Sequence, residues 1–313
     1  MANIKTCEFV SPKHPDKLCD YLADTLLDAY LELDPKSRVA IEIMGGHDNI
    51  SVSGEVTSNA KVDIENIVKN VLGEKYNVKV YVSQQSPFIS RGVDNGGAGD
   101  QGIMIGYATN ETKNFMPLEY EFARKLCNKI YSQFPFDGKT QVTVEDGRVK
   151  TVVASFQKTS SVELEKLVRS IINADEYLIN PAGEWEMGGF DADSGLSGRK
   201  IVIDNYGPEI GIGGGSFSGK DWTKVDRSGA YMARRIAVDL LRKHSAETVR
   251  TKLAYAIGKK EPVMAVAEKD GKEEKIIGYD LSPKGIYEFL DLGRIKFRKT
   301  AAWGHFGREF PWG

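Results

Sequence analysis

The 313-residue chain is predicted to adopt an α+β fold, with helices packed on one face of mixed or antiparallel sheets. Two observations support this class. Helical and strand-like patterns follow one another without the strict strand–helix–strand alternation of a doubly wound sheet. Three successive sections of the chain each combine several strands with one or two long helices. Apolar residues make up 41% of the chain, which is ordinary for a globular protein with buried cores.

Six stretches carry apolar residues at helical spacing. The first follows two prolines that keep residues 11–17 out of a helix interior, so Asp16 is its predicted N-cap and Asp34-Pro35 its end. Ser161 looks like the start of a capping box that lacks the glutamate three residues on. The predicted helices cover residues 16–33, 62–72, 118–134 and 161–172, a stretch that begins at 226, and residues 283–292.

Short alternating or apolar runs between these helices predict strands. Turn residues at 45–48 and at Asp146-Gly147 join two pairs of them. Residues 90–102 have the glycine-rich composition of a loop, either a lid or a plain linker. The predicted strands cover residues 38–43, 49–57, 78–82, 103–108, 140–145, 150–156, 200–205, 253–257, 263–267 and 275–278.

Composition excludes several classes of function. The net charge of −2 and the lack of a basic, aromatic-rich stripe argue against nucleic acid as a partner. Three cysteines without a CxxC, no signal-peptide core and no long apolar run predict a cytoplasmic protein without a membrane segment. Zinc-ligand spacing, G-x-S-x-G and H-E-x-x-H are all absent from the sequence.

Residues 213–228 concentrate the most chemistry, with four glycines beside two lysines and two aspartates. Glycine backbone can cradle anions, Lys220 and Lys224 add positive charge, and Asp221 and Asp226 are candidate metal ligands. A P-loop is one alternative, but Asp221 stands where that motif needs Ser or Thr. The other is a glycine-rich loop that leads into an ordinary amphipathic helix.

Two further groups of charged residues have the same character. His14, Asp16 and Lys17 stand at a predicted helix start, a place suited to anions, and Arg199-Lys200 precede a predicted strand. Each group alone is weak, and His14 between two prolines could be only a cap or a packing residue. Together they predict a site for a polyphosphate that carries divalent cations.

Five motifs in the same order resemble the S-adenosylmethionine synthetase (methionine adenosyltransferase) family from near Glu8 to the C-terminus. The chain is shorter than is usual in that family. The motifs are HPDK at residues 14–17, GAGDQG at 97–102 with GYATNET at 106–112, GRK at 198–200, GGGSFSGKD at 213–221 with KVDRS at 224–228, and GHFGR at 304–308.

The resemblance implies three α+β domains related by pseudo-threefold symmetry and built from discontinuous segments. We expect residues 1–12 plus 114–187 to form an N-terminal-type domain, 13–88 plus 188–227 a central-type domain, and 89–113 plus 228–313 a C-terminal-type domain. It also implies a homodimer or tetramer with active sites at the interface. The implied reaction joins ATP and L-methionine through sulfur attack on the ribose C5′, followed by triphosphate hydrolysis, with two Mg²⁺ per site and K⁺.

The same resemblance implies roles for individual residues. His14 would contact the triphosphate near the bond that breaks, and Trp185 would stack on adenine in place of the usual Phe. The implied catalytic residues are His14, Lys139, Arg199, Lys200 and Lys220. The implied substrate-binding residues are Glu55, Gln85, Asp100, Asp137, Trp185, Asp193, Ser216 and Lys224. The implied metal ligands are Glu8, Asp16 and Asp226 for Mg²⁺ and Glu42 for K⁺.

Some positions depart from the family pattern. Pro12-Lys13 replaces the usual Glu-Gly before the histidine, Glu184 stands where a cation is common, and Ser216 stands where Ala is common. The lid between Val93 and Gly97 is also several residues shorter. These departures leave a second hypothesis open, a catalytically inactive homologue that binds nucleotides.

Overall fold

The computed structural model describes residues 3–84 and 96–313. In these two ranges, twelve strands form three four-stranded sheets and seven helices flank them. None of these helices is long and apolar enough to cross a bilayer. The helices are α1 (Pro15–Leu33), α2 (Ile64–Leu72), α3 (Leu118–Tyr131), α4 (Ser161–Ile171), α5 (Ile201–Asp204), α6 (Val225–His244) and α7 (Pro283–Phe289).

Each sheet is antiparallel or mixed, which confirms the predicted α+β class. The first sheet has the order β1-β6-β7-β8, the second β4-β3-β2-β9, and the third β12-β11-β10-β5. The strands are β1 (Ile4–Val10), β2 (Arg38–Gly46), β3 (Asn49–Thr57), β4 (Asn77–Ser83), β5 (Gly102–Thr109), β6 (Gly138–Glu145), β7 (Arg148–Phe156), β8 (Glu176–Ile179), β9 (Gly195–Leu196), β10 (Thr248–Tyr255), β11 (Met264–Lys269) and β12 (Lys272–Lys275).

One long helix packs on each sheet: α3 on β1 and β6, α1 on β2, and α6 on β5 and β10. In the second sheet, the apolar side chains Val39, Ile41 and Ile43 are fully buried, whereas Glu42 and Met44 point to the other face. Among residues 3–84 and 96–313, the helices that pack on this sheet are α1 and α2, and the face with Glu42 and Met44 has no covering helix. That uncovered face, called the open face below, carries part of the candidate site.

We propose that the three sheets correspond to the three discontinuous domains expected from the sequence. The strands of each sheet come from two separated parts of the chain: the first from 4–10 and 138–179, the second from 38–83 and 195–196, and the third from 102–109 and 248–275. The segment pairs predicted for each domain contain these strands, which supports the division.

Two helix starts differ from their predictions. His14, not Asp16, is the N-cap of α1, because its Nδ1 accepts the Asp16 backbone N–H at 3.1 Å and Pro15 occupies the first turn. Ser160, not Ser161, caps α4: its Oγ accepts the Glu163 N–H and donates to the Glu163 carboxylate at 2.8 Å. Glu163 therefore completes the capping box, which begins one residue earlier than predicted, at Ser160.

The strand predicted at residues 200–205 is wrong. Residues Ile201–Asp204 form the short helix α5, although three β-branched residues favour a strand there. Ile203 is buried and its carbonyl accepts the Tyr120 hydroxyl at 2.8 Å, while Asp204 is paired with Lys17. Tertiary contacts of this kind override local propensity. The strand predicted at 275–278 is displaced to Lys272–Lys275, and that at 253–257 begins earlier, at Thr248.

Aromatic side chains of the C-terminal segment pack into the hydrophobic core. Trp312 is fully buried and stacks on Tyr231 of α6 with ring centroids 3.8 Å apart. Phe306 stacks on Tyr206 at 4.8 Å. Arg234 of α6 is also fully buried and donates to the carbonyl of Gly313 at 3.0 Å. The end of the chain therefore belongs to the core.

Gly54 offers a test of how closely the strands of the second sheet approach. Its φ is +141°, and a Cβ there would lie 2.0 Å from the Ala40 carbonyl oxygen of the neighbouring strand. We expect Gly54→Ala to lower the free energy of unfolding by about 2–3 kcal/mol through overpacking and backbone strain. Urea unfolding measures this. Gly46→Ala is the matched control, since its Cβ would meet Ser194 at an ordinary 3.4 Å; equal losses for both variants would contradict the assignment.

Candidate functional site

The start of α1 is buried beneath the segment that contains β9. Asp16 is fully buried, and its carboxylate accepts the Leu196 N–H at 2.9 Å. It also pairs with Lys200 at 2.5 Å and with Arg199 at 2.9 Å. Burial raises the pKa of Asp16, but the hydrogen bonds from Lys200, Leu196 and Arg199 outweigh it and hold the pKa below its ordinary value. This carboxylate therefore stays ionised and gathers two predicted catalytic cations.

His14 is neutral at pH 7. Burial, together with the charges of Lys200 and Lys139, lowers its pKa to about 4. Because Nδ1 accepts the Asp16 N–H, the ring proton lies on Nε2. His14 thus presents one neutral N–H donor among predicted catalytic cations.

Asp137 is the second buried carboxylate of this region. It precedes β6 and accepts the Gly189 N–H at 2.9 Å, so it holds the glycine-rich turn at residues 188–189. Burial raises its pKa, against the lowering effect of the Gly189 and Gly138 N–H groups and Lys139. Asp193 is exposed and bonds the adjacent Ser194 N–H at 2.8 Å, and its charge acts on both His14 and Asp137.

A second group of predicted residues meets on the open face. The half-buried Glu42 accepts hydrogen bonds from the hydroxyls of Ser197 and, at 3.4 Å, of Ser216. Burial raises the pKa of Glu42, although Ser197 and the charge of Lys220 oppose the rise. Lys220 bridges to Asp226 at 2.7 Å. The structure therefore brings together Glu42, Ser216, Lys220 and Asp226 of the predicted set.

The edge of β2 explains this convergence. Lys220 lies beside Ala40 in a bridge, and β9 pairs farther along the same strand, with Leu196 opposite Met44. Ala40 is also directly opposite Glu55 on β3. Partners that face each other across strands share a face of the sheet, so Glu55, Glu42 and Lys220 lie on the open face.

The glycine-rich stretch is not a P-loop. In a P-loop the helix starts at the motif's lysine, whereas α6 begins at Val225, five residues after Lys220. Asp221 is fully buried; it accepts the N–H groups of Val39 at 2.7 Å and Thr223 at 2.8 Å and pairs with Lys224 at 2.5 Å. Asp221 therefore anchors the loop to β2. An ordinary loop before an amphipathic helix does not account for Lys220, which lies near Glu42 and pairs with Asp226.

The remaining predicted residues lie apart from these contacts. Glu8 is exposed on β1, and Asp100 is exposed and bonds the Gln101 N–H at 2.7 Å. Trp185 is half-buried and offers its carbonyl to the Lys158 N–H at 2.8 Å. Gln85 and the residues 93–95 of the short lid lie outside the described residues.

No three His, Cys, Asp or Glu side chains in residues 3–84 and 96–313 converge into a group that could hold a metal ion. The predicted ligands Glu8, Asp16, Glu42 and Asp226 thus form no protein-only cage. Magnesium is commonly held by one or two carboxylates together with substrate phosphates and water. Asp16 and Asp226, each an ionic partner of a predicted phosphate-binding lysine, therefore still have the donor chemistry that such a bridging ion needs.

A large crevice of the described residues does not contain the predicted site residues. It measures about 870 Å³, and its lining includes Lys13, Tyr21, Phe136, Gly189 and Arg298. Lys13 and Gly189 adjoin His14 and the Asp137 hydrogen bond, so the crevice borders the candidate site without being part of it. The predicted residues are divided instead between the buried start of α1, with His14 and Asp16, and the open face, with Glu42 and Lys220.

Sequence reasoning missed the acidic residues of α1 that follow Asp16. Asp20 and Asp24 are fully buried and accept the N–H groups of Gly198 at 2.8 Å and Gly219 at 2.9 Å. The signal was present as an aspartate at every fourth position of α1. Because the helix was identified by its apolar residues, this polar stripe on the same helix was overlooked.

The chain matches three family models in succession. Residues 2–87 match the model described as S-adenosylmethionine synthetase, N-terminal domain; residues 95–185 match the central domain and residues 187–313 the C-terminal domain. Curated relatives include the S-adenosylmethionine synthase of a Nitratiruptor species, 40% identical over 98% of this chain and 93% of that protein.

Two other similar proteins carry the same name. The S-adenosylmethionine synthase of Clostridium tetani is 40% identical over 100% of this chain and 97% of that protein. The S-adenosylmethionine synthase of Mycoplasmopsis synoviae is 39% identical over 100% of this chain and 95% of that protein. The alignment with the Clostridium protein spans 378 positions against 313 residues here, so this chain has gaps at 65 positions or more.

Asp137 and Asp193 allow a structural test of the region around His14. Removing Asp137 leaves the Gly189 N–H without its acceptor, at a cost of about 1–3 kcal/mol. We expect Asp137→Ala to speed amide hydrogen exchange at residues 188–190 roughly 5- to 150-fold. Asp193→Ala is the control, because that carboxylate is exposed and bonds only its neighbour. Unchanged exchange in Asp137→Ala would show that the turn is held by other contacts.

Proposed function

Because the chain belongs to the S-adenosylmethionine synthetase family, we propose that it forms S-adenosylmethionine from L-methionine and ATP. The methionine sulfur attacks the ribose C5′, the triphosphate leaves, and it is then hydrolysed to phosphate and pyrophosphate. The observation that carries this proposal is the buried start of α1, where Asp16 holds Arg199 and Lys200 beside the neutral donor His14.

A thioether nucleophile is neutral and loses no proton when it attacks carbon. The reaction therefore needs alignment of sulfur with C5′ and stabilisation of the departing triphosphate, not a general base. His14 fits the second need, since its Nε2–H can donate to the oxygen that leaves C5′. Its low pKa means that this donor remains a neutral imidazole across the physiological range.

The cations Lys139, Arg199, Lys200 and Lys220 bind the triphosphate in this proposal. Three of them already have carboxylate partners, Asp16 for Arg199 and Lys200 and Asp226 for Lys220. These pairs hold each cation in place before substrate arrives, which reduces the reorganisation needed at the moment of reaction. By analogy with oxyanion-hole deletions, each well-placed donor lowers the activation barrier by about 3–4 kcal/mol.

Two Mg²⁺ would be held by Glu8, Asp16 and Asp226 together with the phosphates, and K⁺ by Glu42. When bound, these ions neutralise the charge that develops on the triphosphate. Asp16 and Asp226 adjoin the proposed phosphate cations, which supports their assignment. Glu42, tied to Ser197 and Ser216 on the open face, is suited to a second role as an orienting ligand.

The remaining substrate contacts are assigned by the resemblance together with their positions. Trp185 stacks on adenine, Asp137 contacts the nucleotide, Asp193 contacts ATP or its triphosphate, and Ser216 is a further substrate-binding residue. Glu55, Gln85, Lys224 and Asp100 bind L-methionine or face it. Glu55 shares the open face with Glu42 and Lys220, which supports a methionine site next to the triphosphate site.

We also propose that a second copy of the chain covers the open face in a homodimer. Met44 and Leu196 are opposite each other there and are 56% and 40% exposed in the single chain. An exposed apolar pair next to the proposed site supports an interface there, and most oligomers are symmetric dimers of one chain. A tetramer and a cytoplasmic location remain predictions.

The turnover assay separates this proposal from the inactive homologue. With ATP, L-methionine, Mg²⁺ and K⁺, we expect S-adenosylmethionine together with phosphate and pyrophosphate in equal amounts, measured by chromatography. Omitting methionine should abolish nucleoside transfer. Nucleotide binding without any S-adenosylmethionine would support the inactive homologue instead, and methionine-independent phosphate release would indicate an ATPase.

Lys220 provides the sharpest single-residue test. Lys220→Met keeps the length of the side chain and removes its charge, and we expect kcat to fall about 10²- to 10³-fold, as for loss of one transition-state donor. Steady-state kinetics with saturating ATP measures it. Lys272→Met on the exposed strand β12 is the control and should retain the parental kcat. If Lys220→Met kept the full kcat, Lys220 would not be a triphosphate-binding residue.

A further inference from the structure

Four aspartates of α1, at positions 16, 20, 24 and 28, form one buried row that we call the aspartate ladder. Their exposed fractions are 0, 0, 0 and 2%. A spacing of four residues places successive side chains on nearly the same side of a helix. Like charges at this spacing destabilise an isolated helix, and buried carboxylates need compensation. The row must therefore be stabilised by contacts from outside the helix.

Each carboxylate of the ladder accepts backbone N–H groups from another segment of the chain. Asp16 accepts from Leu196, Asp20 from Gly198 at 2.8 Å, and Asp24 from Gly219 at 2.9 Å. Asp28 accepts from Phe297 at 2.8 Å and from Arg298 at 3.2 Å. The ladder thus fixes three segments of the chain onto a single rigid helix.

The two middle members hold the residues that come just before the proposed phosphate cations. Gly198 precedes Arg199-Lys200, and Gly219 precedes Lys220. Both glycines have positive φ values, +73° and +80°, and a Cβ at Gly219 would lie 1.9 Å from the Ile41 carbonyl oxygen. The backbone direction at these glycines decides where the next side chain points.

Asp24 holds the Gly219–Lys220 backbone at two points: directly at the Gly219 N–H, and through Arg227 at the Lys220 carbonyl. The Arg227 guanidinium binds the Asp24 carboxylate in a fork, at 2.7 and 2.8 Å, and donates to the Lys220 carbonyl at 3.1 Å. Arg227 is itself 1% exposed and also donates to Thr300 at 2.9 Å. The residue that carries the proposed cation is therefore bonded at its own carbonyl and at the preceding N–H.

Asp20 has a similar arrangement. Its second oxygen accepts from the buried Lys17 at 2.9 Å, and Lys17 continues to Asp204 at 2.5 Å. Asp204 is the last residue of α5, which starts directly after Lys200. The segment that carries Arg199 and Lys200 is thus held by N–H bonds to Asp16 and Asp20 on one side and by Lys17 on the other.

We propose that Asp20 and Asp24 are positioning residues for the triphosphate, which aim Arg199, Lys200 and Lys220 through the backbone without touching substrate. This inference rests on the proposed function. Asp28 is the natural comparison, because it is equally buried and makes the same kind of contact, yet the segment it holds carries none of the proposed site residues.

The test compares Asp20→Asn and Asp24→Asn with Asp28→Asn as the matched control. Each change keeps the shape of the side chain and weakens a charge-assisted bond. For folded protein we expect kcat to fall 30- to 300-fold in the first two variants, with KM for L-methionine within threefold of the parent. The affinity for inorganic tripolyphosphate with Mg²⁺, measured by calorimetry, should fall at least tenfold. Asp28→Asn should change none of these more than threefold.

A double variant separates positioning from stability. Asp24→Asn leaves Arg227 as an incompletely compensated buried cation, which destabilises the fold. Adding Arg227→Met removes that cation, so we expect the thermal midpoint to recover while kcat and tripolyphosphate affinity stay low. Recovery of both together with stability would overturn the inference in favour of a structural role.

The outcomes distinguish the two levels of the proposal. Parental enzyme that makes S-adenosylmethionine, with Asp20 and Asp24 variants no worse than Asp28→Asn, would leave the function standing and refute the positioning role. A parent that makes no product would refute the function, and tripolyphosphate affinity would then decide the inference alone. Weaker tripolyphosphate binding only in the Asp20 and Asp24 variants would support the positioning role, whereas equal affinity in all variants would refute it.

Discussion

The burial of four carboxylates along α1 is the constraint on which the rest of the structure depends. A row of like charges on one helix face is unstable by itself, and each member needs donors. Those donors come from the β9 segment, the glycine-rich stretch and the residues at 297–298, which lie far apart in the chain. Satisfying the aspartates brings these segments to one helix, and two of them carry the proposed triphosphate cations.

Charge pairing within the chain gives the candidate site its character. Lys200, Lys220 and Lys224 each have a carboxylate partner at 2.5–2.7 Å. Such pairs are modest contributors to stability, but they hold flexible lysines in a small volume before substrate binds. A bound polyanion with its divalent cations can then replace the carboxylates as the partner of these lysines. The neutral His14 adds a directed N–H without adding charge, because its surroundings lower its pKa.

This arrangement is present in a chain that has gaps at 65 or more positions in its alignment with a relative. Each of the three sheets has four strands and one long helix packed on it. Lys13 lines the crevice of about 870 Å³ that borders the site, where its positive charge acts on the local potential.

The sequence by itself determined the α+β class, most helices and strands, and the family, because periodicity and turn chemistry are local and the motifs are long; the phosphate and metal site it predicts stays a prediction. The capping residues of α1 and α4 were assigned one or two positions too late although their hydrogen bonds are local, whereas the helix at Ile201–Asp204 depended on contacts that local patterns do not contain. Only the tertiary structure decided that Asp221 anchors a loop, that Glu42 and Lys220 share an open face, and that Asp20 and Asp24 hold the cation-bearing backbones. The physical reason is that a buried carboxylate is defined by the donors that reach it, and here those donors come from 178 and 195 residues away in the chain.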